Sequence, residues 1–304
     1  MDGAIISRFP FSQLRLLRRK FILAHNTARD LHTHQEIQTY KISMSTGRTL
    51  TFLGTGTSTG VPVLGCDCEV CTSSNPKNHR YRSSVLLQLP GGRILIDTPP
   101  ELRLSLLREK VPFVHAILLT HYHVDHLYGL DDIRLFPKFL DAPLSVYCNE
   151  ETEEVVRRAF SYAFSERAEQ MPRGMVPQLK FHRITPGEPF EVLGEKIIPM
   201  HLEHGRFNVL GFRIRNLAYC TDVSHIPQAS RELLRGLETL VLDALRRRHH
   251  PNHLSLDQAI EIIQQLQPKQ SFLTHISHEL EYDNVSSELP GHIRLAYDGL
   301  KVDF

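Results

Sequence analysis

The chain has 304 residues, 41% of them hydrophobic and 23% charged, with 35 Lys and Arg against 34 Asp and Glu for a formal net charge of +1. These are globular proportions, which exclude a disordered or fibrous chain. The near-zero charge argues against general attraction to nucleic acid or a membrane surface, and no apolar run approaches the length of a membrane span.

Residues 1–46 stand apart as a basic extension that is poorly ordered or lies outside the true reading frame, ahead of a single domain over 47–304. Three readings compete for it: translation from Met44, a disordered or helical appendage, or an organelle-targeting peptide. It has no secretory pattern, and His25, His32 and His34 within it are not taken as ligands. From Leu50 onward, strands are expected at Leu50–Leu53, Ser84–Leu89, Arg93–Asp97 and Ala116–Thr120, with Pro90-Gly91-Gly92 joining the second and third as a hairpin. Glu101–Lys110 reads as a short helix. Glu150–Arg167 reads as a longer one, with Val155, Val156, Ala159, Phe160 and Ala163 as its apolar stripe. Further strands follow at Gln178–Ile184, Phe190–Leu193, Lys196–Met200, Val209–Ile214 and Ala218–Thr221. Ser255 caps a helix through Gln265, and strands close the chain at Ser271–Thr274, Arg294–Tyr297 and Leu300–Val302. Strand runs with helices between them, lacking strict alternation, suggest two packed sheets covered by helices.

Two residue types carry the chemistry. The chain has 18 histidines but only 5 cysteines. An odd number of cysteines cannot form a complete disulfide framework, and Cys148 and Cys220 sit in apolar runs as core residues. Cys66, Cys68 and Cys71 crowd together, which in a reducing cytosol points to metal; a cytoplasmic protein is expected. In Thr120-His121-Tyr122-His123-Val124-Asp125-His126 a buried strand runs into a histidine-rich loop. His121 and His123 are two apart, so in extended backbone they face one side and can converge on one ion. Asp125 and His126 follow where a turn could redirect them to a second ion, and these residue types suit divalent metals.

This His-x-His-x-Asp-His stretch after an apolar strand resembles the metallo-β-lactamase superfamily, over roughly residues 48–304. The resemblance implies an αββα sandwich, an α/β fold of four layers, with a dinuclear metal site at one edge. It implies one ion held by His121, His123 and His204, a second by Asp125, His126 and His275, and Asp222 bridging them. Asp97 is the implied buried carboxylate behind the metal loop. His201 competes with His204, and Gly205 and Gly211 favour His204 by the family spacing. Two cations would lower the pKa of a shared water, and Asp125 and His253 are the side chains expected to take part in the chemistry. Zinc and manganese suit these ligands equally.

Three features narrow the substrate. Gly54-Thr-Gly-Thr57-Ser58-Thr-Gly60 resembles the opening of the phosphodiesterase branches, with Thr57 and Ser58 as candidate phosphate contacts; a tight sheet-edge turn is the alternative. Cys66, Cys68 and Cys71, with His278 three residues beyond His275, resemble the structural zinc site of the PhnP-like branch; three reduced thiols in a loop are the alternative. His253, 22 residues before His275, matches a histidine that contacts phosphate in that branch or protonates the leaving oxygen. The resemblance thus implies a hydrolase of a small or cyclic phosphodiester such as a phosphoribosyl cyclic phosphate, as a monomer or homodimer without a nucleic-acid partner. The rival readings are a tRNA 3′-end endonuclease, a lactone or thioester hydrolase, and a non-catalytic metal-stabilised module.

Overall fold

The computed structural model describes residues 47–304; the expectations for residues 1–46 lie outside the described residues. Six strands enter the first sheet in succession: β1 (Thr49–Gly54), β2 (Ser84–Leu89), β3 (Gly92–Ile96), β4 (Ala116–Leu118), β5 (Leu144–Cys148) and β6 (Leu179–Arg183). The next seven build the second: β7 (Phe190–Val192), β8 (Glu195–His204), β9 (Phe207–Ile214), β10 (Leu217–Cys220), β11 (Thr239–Asp243), β12 (Gln270–Thr274) and β13 (Ile293–Leu295). The last, β14 (Lys301–Asp303), returns to pair with β1, so the orders are β14-β1-β2-β3-β4-β5-β6 and β13-β12-β11-β10-β9-β8-β7.

Period-two alternation assigns each side chain to a layer. In the second sheet Leu217, Tyr219 and Val241 face the first sheet, where they meet Phe52, Leu87, Ile94 and Leu118 in one core. Their neighbours Ala218, Cys220, Leu240 and Leu242 face outward into a second core. There they meet Leu256, Ala259 and Ile263 of a helix over Leu256–Leu266. Helices over Leu102–Arg108, Phe136–Leu140 and Glu150–Ala159 pack on β1, β5 and β6, and those over Gln228–Leu233, Leu256–Leu266 and Tyr282–Glu288 pack on β8, β11 and β13. The result is the expected αββα sandwich. Among the described residues no helix is long and apolar enough to cross a membrane.

Local chemistry explains where the elements depart from the expected bounds. The helix expected over Glu150–Arg167 stops at Ala159 because Phe160 leaves helical geometry at φ −111°, ψ 37°. A 3-10 turn follows at Ser161–Ala163, and Ser165 starts a fresh turn by accepting the Ala168 N–H. Strand β8 continues past Met200 to His204 because it pairs with β9 along its whole distal half, from Ile197 opposite Ile214 to His204 opposite Phe207. Strand β11 was not anticipated: all five of its residues are buried, so it shows no alternation. Ser255 caps its helix as expected, in a capping box with Gln258. Cys148 and Cys220 are buried, and burial pushes both thiols up to about 12, which leaves them inert packing residues.

Strands β3 and β4 are parallel, as are β10, β11 and β12, so their carboxyl ends can open on one edge. The Leu210 N–H donates to Thr120 O at 2.9 Å and ties the two sheets together there. Beside β1, Asp298 accepts from the Thr55 hydroxyl and the Tyr81 N–H at 2.8 Å each. Its side chain is 8% exposed, and burial raises its carboxyl to about 6. Between roughly pH 4 and 6 the folded chain therefore holds a proton that the unfolded chain has released, and this contribution to stability is lost as pH rises through 6. Relative to Asp298→Asn, the wild type should lose up to about 3 kcal/mol of unfolding free energy across that window. Denaturant unfolding of both proteins from pH 4 to 6.5 checks this, and a flat difference would refute it.

Candidate metal centre

The site grows from the ends of strands. After β3, Asp97 takes a left-handed backbone at φ 64° and turns its carboxylate inward, where it is fully buried. It accepts the Thr120 N–H and the Thr120 hydroxyl, both at 2.8 Å, and the His126 Nδ1–H at 2.7 Å. With that hydroxyl donated, its oxygen accepts from His121 Nδ1 at 2.9 Å. One carboxylate thus fixes the tautomers of two histidines and leaves both Nε2 lone pairs facing the site. His204, the last residue of β8, is set in the same way by Asn252 O, 2.7 Å from its Nδ1.

The outcome is two groups of donor atoms sharing one carboxylate. His121, His123, His204 and Asp222 bring donors within 4.8 Å of one another, and so do Asp125, His126, Asp222 and His275. Asp222 Oδ1 lies 4.0 Å from His121 Nε2, 3.8 Å from His204 Nε2 and 3.4 Å from His275 Nε2, while Oδ2 lies 3.0 Å from His126 Nε2. His201 is not in either group. It lies three residues from His204 on a strand, hence on the opposite face, and its Nε2 pairs with Asn208 Oδ1 at 2.8 Å. His225, three residues after Asp222, is exposed and pairs with Glu203.

The donor set fits divalent cations. The Nε2 atoms of His121, His126 and His275 are buried and make no hydrogen bond, a costly arrangement for polar atoms without an ion to face. Burial alone would push His126 below its ordinary value, but Asp222, Asp125 and Asp97 together carry it well above. The pocket therefore has a strong preference for positive charge at its centre.

Sequence reasoning missed Asp243. It closes β11 as Asp97 closes β3, fully buried, in Leu-Val-Leu-Asp beside the earlier Ile-Leu-Ile-Asp. It accepts the Val223 N–H and the His253 Nδ1–H, both at 3.0 Å. Its other oxygen lies 3.7 Å from His275 Nδ1, and neither of those two atoms has a hydrogen bond. The recurring Asp at the end of an apolar run was the available signal. Burial opposes the charging of His253, but Asp243 outweighs it and raises the imidazole to about 9. The His253 ring is buried, 4.6 Å from His204 and 4.7 Å from His275 between centroids, so it stands against both metal groups.

The cysteine cluster meets His278 as the spacing suggests. The Sγ atoms of Cys66, Cys68 and Cys71 lie 3.3, 3.4 and 3.6 Å from His278 Nδ1. Zinc bonds of about 2.3 Å to sulfur and 2.0–2.1 Å to nitrogen give tetrahedral S···N edges of about 3.6 Å, so the four atoms suit one zinc. Buried Arg80 braces the same junction by donating to Ser277 O and Leu280 O at 2.7 Å each.

In the glycine-rich opening several of the backbone donors are already engaged. Its Gly56, Thr57, Gly60 and Val61 N–H groups are already bonded to Tyr81, Ile276, Thr57 and Arg80 carbonyls. Thr57 is buried, while Ser58 is exposed. A Cβ at Gly54 would lie 2.0 Å from Arg82 O, and one at Gly56 2.8 Å from Arg80 O. The glycines permit close backbone approach to the segment 80–82, as a tight sheet-edge turn would require.

Residues 92–276, more than half of the chain, match the family model described as a beta-lactamase superfamily domain. The chain belongs to the metallo-β-lactamase superfamily, a class of divalent-metal-dependent hydrolases, and within it is PhnP-like. It is 45% identical to a solved structure described as a new diphosphatase from the PhnP family, covering 84% of this chain and 97% of that one with a TM-score of 0.78. It is 37% identical over 252 residues to an octanoyltransferase of Porphyromonas gingivalis, covering 82% of this chain but only 50% of that protein. A ribonuclease Z of Borreliella burgdorferi is 36% identical over 59 residues, 19% of this chain and 18% of that one. The chain thus spans about half the length, or less, of these two curated relatives.

Proposed function

We propose that the protein hydrolyses a P–O bond in a small phosphodiester, cyclic phosphodiester or diphosphate, using two divalent ions in the His/Asp groups and a structural zinc at the cysteines. The observation that carries this reading is His253: a buried imidazole, held through Nδ1 by Asp243 at 3.0 Å and pressed against both ligand groups. Bound there, the ions would supply an activated water near neutral pH and stabilise the charge that develops on the phosphoryl oxygens. His121, His123 and His204 would hold one ion, Asp125, His126 and His275 the other, and Asp222 both. His253 Nε2–H would donate a proton to the departing oxygen while its Nδ1–H stays on Asp243, and water would return the proton afterwards, a step the Asp243 carboxylate favours. Asp97 and Thr120 hold the loop histidines in register throughout. The likeness to a diphosphatase of the PhnP family supports a phosphorus substrate.

Two other readings have specific support. The short ribonuclease Z likeness favours tRNA cleavage. The octanoyltransferase likeness favours acyl chemistry, although half of that protein has no counterpart here. A panel separates them: a phosphoribosyl cyclic phosphate, nucleoside 2′,3′-cyclic phosphates, a dinucleoside diphosphate, precursor tRNA and an octanoyl thioester, each with zinc and with manganese. Turnover of the small phosphorus esters is expected. His253→Ala should lower kcat by roughly 10²–10⁴-fold with the ion content retained. Turnover confined to the thioester or to tRNA would overturn the proposal.

A further inference from the structure

The turn between β8 and β9, His204-Gly205-Arg206-Phe207, carries a metal-pocket histidine at one end and an exposed pair at the other. Phe207 is 41% exposed, although its ring contacts those of His123 at 5.1 Å and His204 at 6.3 Å between centroids. Tyr122 meets it edge-on at 6.3 Å, with the two planes at 87°. Nothing in the core requires this ring, and its near-perpendicular contacts to Tyr122 and His123 fix its plane.

The turn is braced rather than floppy. Gly205 sits at φ 62°, and a Cβ there would come within 2.2 Å of Asn252 Oδ1, so the turn is seated against the loop that carries His253. The Gly205 N–H donates to Ser224 Oγ at 2.8 Å, and Ser224 in turn donates its N–H and hydroxyl to Glu203 O at 2.7 and 3.0 Å. Arg206 is exposed and makes no hydrogen bond or ion pair among the described residues. The basic run Arg246–Arg248 contrasts with it, because each of its guanidinium groups is paired, Arg246 and Arg248 with Glu279 and Arg247 with Glu288.

We propose that this turn reads the substrate, and that the substrate is a nucleotide: its base stacks on Phe207 with Tyr122 behind, and a non-reacting phosphate pairs with Arg206. The inference rests on the phosphoester reading above and deepens it. Aromatic faces bind bases without regard to their edges, and a guanidinium matches phosphate geometry. The pairing therefore selects for a base and a second phosphate rather than for one particular base.

Calorimetry on the metal-loaded protein tests this without requiring turnover. AMP should bind roughly tenfold or more tighter than ribose 5-phosphate, the same phosphate without a base. In Phe207→Leu that ratio should fall to within about twofold, with elemental analysis verifying an unchanged ion content. Arg206→Ala should lower the affinity for ADP relative to AMP by roughly tenfold. Equal affinities of the wild type for AMP and ribose 5-phosphate would overturn the inference, as would a ratio unaltered in Phe207→Leu. If Phe207→Leu does not fold, the wild-type ratio and the exposed Arg206→Ala decide the matter. A wild type that prefers AMP but cleaves no phosphorus ester would refute the proposed reaction and leave the nucleotide site standing.

Discussion

Asp222→Asn should empty both catalytic ion positions at once, leave the ion at the cysteines bound, and lower turnover by about 10³-fold or more, beyond the roughly 10²–10³ expected from loss of a single preorganised donor. Asp222 is the residue common to both donor groups, with Oδ1 facing His121, His204 and His275 and Oδ2 facing His126. Asparagine keeps the size and tolerates the left-handed backbone at φ 56°, so the fold should survive while the charge holding two cations together is gone. Elemental analysis of the purified variant, beside a turnover assay on the best substrate of the panel, reads both effects. Two ions retained with activity within tenfold of wild type would show that the histidines and Asp125 hold the pair without it.

Cys68→Ser should give the reciprocal result. One ion is lost, the catalytic pair stays, and stability falls by about 4 kcal/mol, in the range reserved for loss of a structural metal. For a domain of this size that is a drop of about 8–16 °C in Tm. The cause lies in what the site joins: three thiols from the loop after β1 and a histidine from the segment after β12. Chelation of the wild type under conditions that spare the catalytic ions should reproduce the drop. An unchanged Tm with the ion gone would reduce the cluster to three thiols in a loop.

How much of the site could be read in advance follows from how local each signal is. His121, His123, Asp125 and His126 declare themselves within six positions, because one strand and one turn suffice to bring them together. His204, Asp222 and His275 are separated by long stretches of chain, and only the family resemblance assigned them. His204 could be told from His201 by strand parity alone once β8 was known to run to His204. Asp243 went unread because β11, buried on both faces, lacks the alternation that identifies a strand, and so its terminal carboxylate had no context. The glycine-rich opening is indecisive for the opposite reason. Gly54 and Gly56 carry a strong pattern, but the pattern records a steric need against Arg82 and Arg80, and the same need would arise with or without a phosphate.

Three site residues just beyond the ends of β3, β10 and β12, Asp97, Asp222 and His275, share one backbone feature: φ of 64°, 56° and 59°. Each chain segment must reverse directly after its strand so that the side chain is thrown back over the sheet edge. These positions are therefore specified twice, once by a ligand or carboxylate chemistry and once by tolerance of the left-handed region, which among residues with a Cβ favours Asn, Asp and His. Glutamate would keep the charge at Asp97 or Asp222 but strain the backbone, whereas glycine would relax the backbone and remove the donor. Mutational drift at this edge has almost no neutral step available, while the strands feeding it remain free to exchange Val, Ile and Leu.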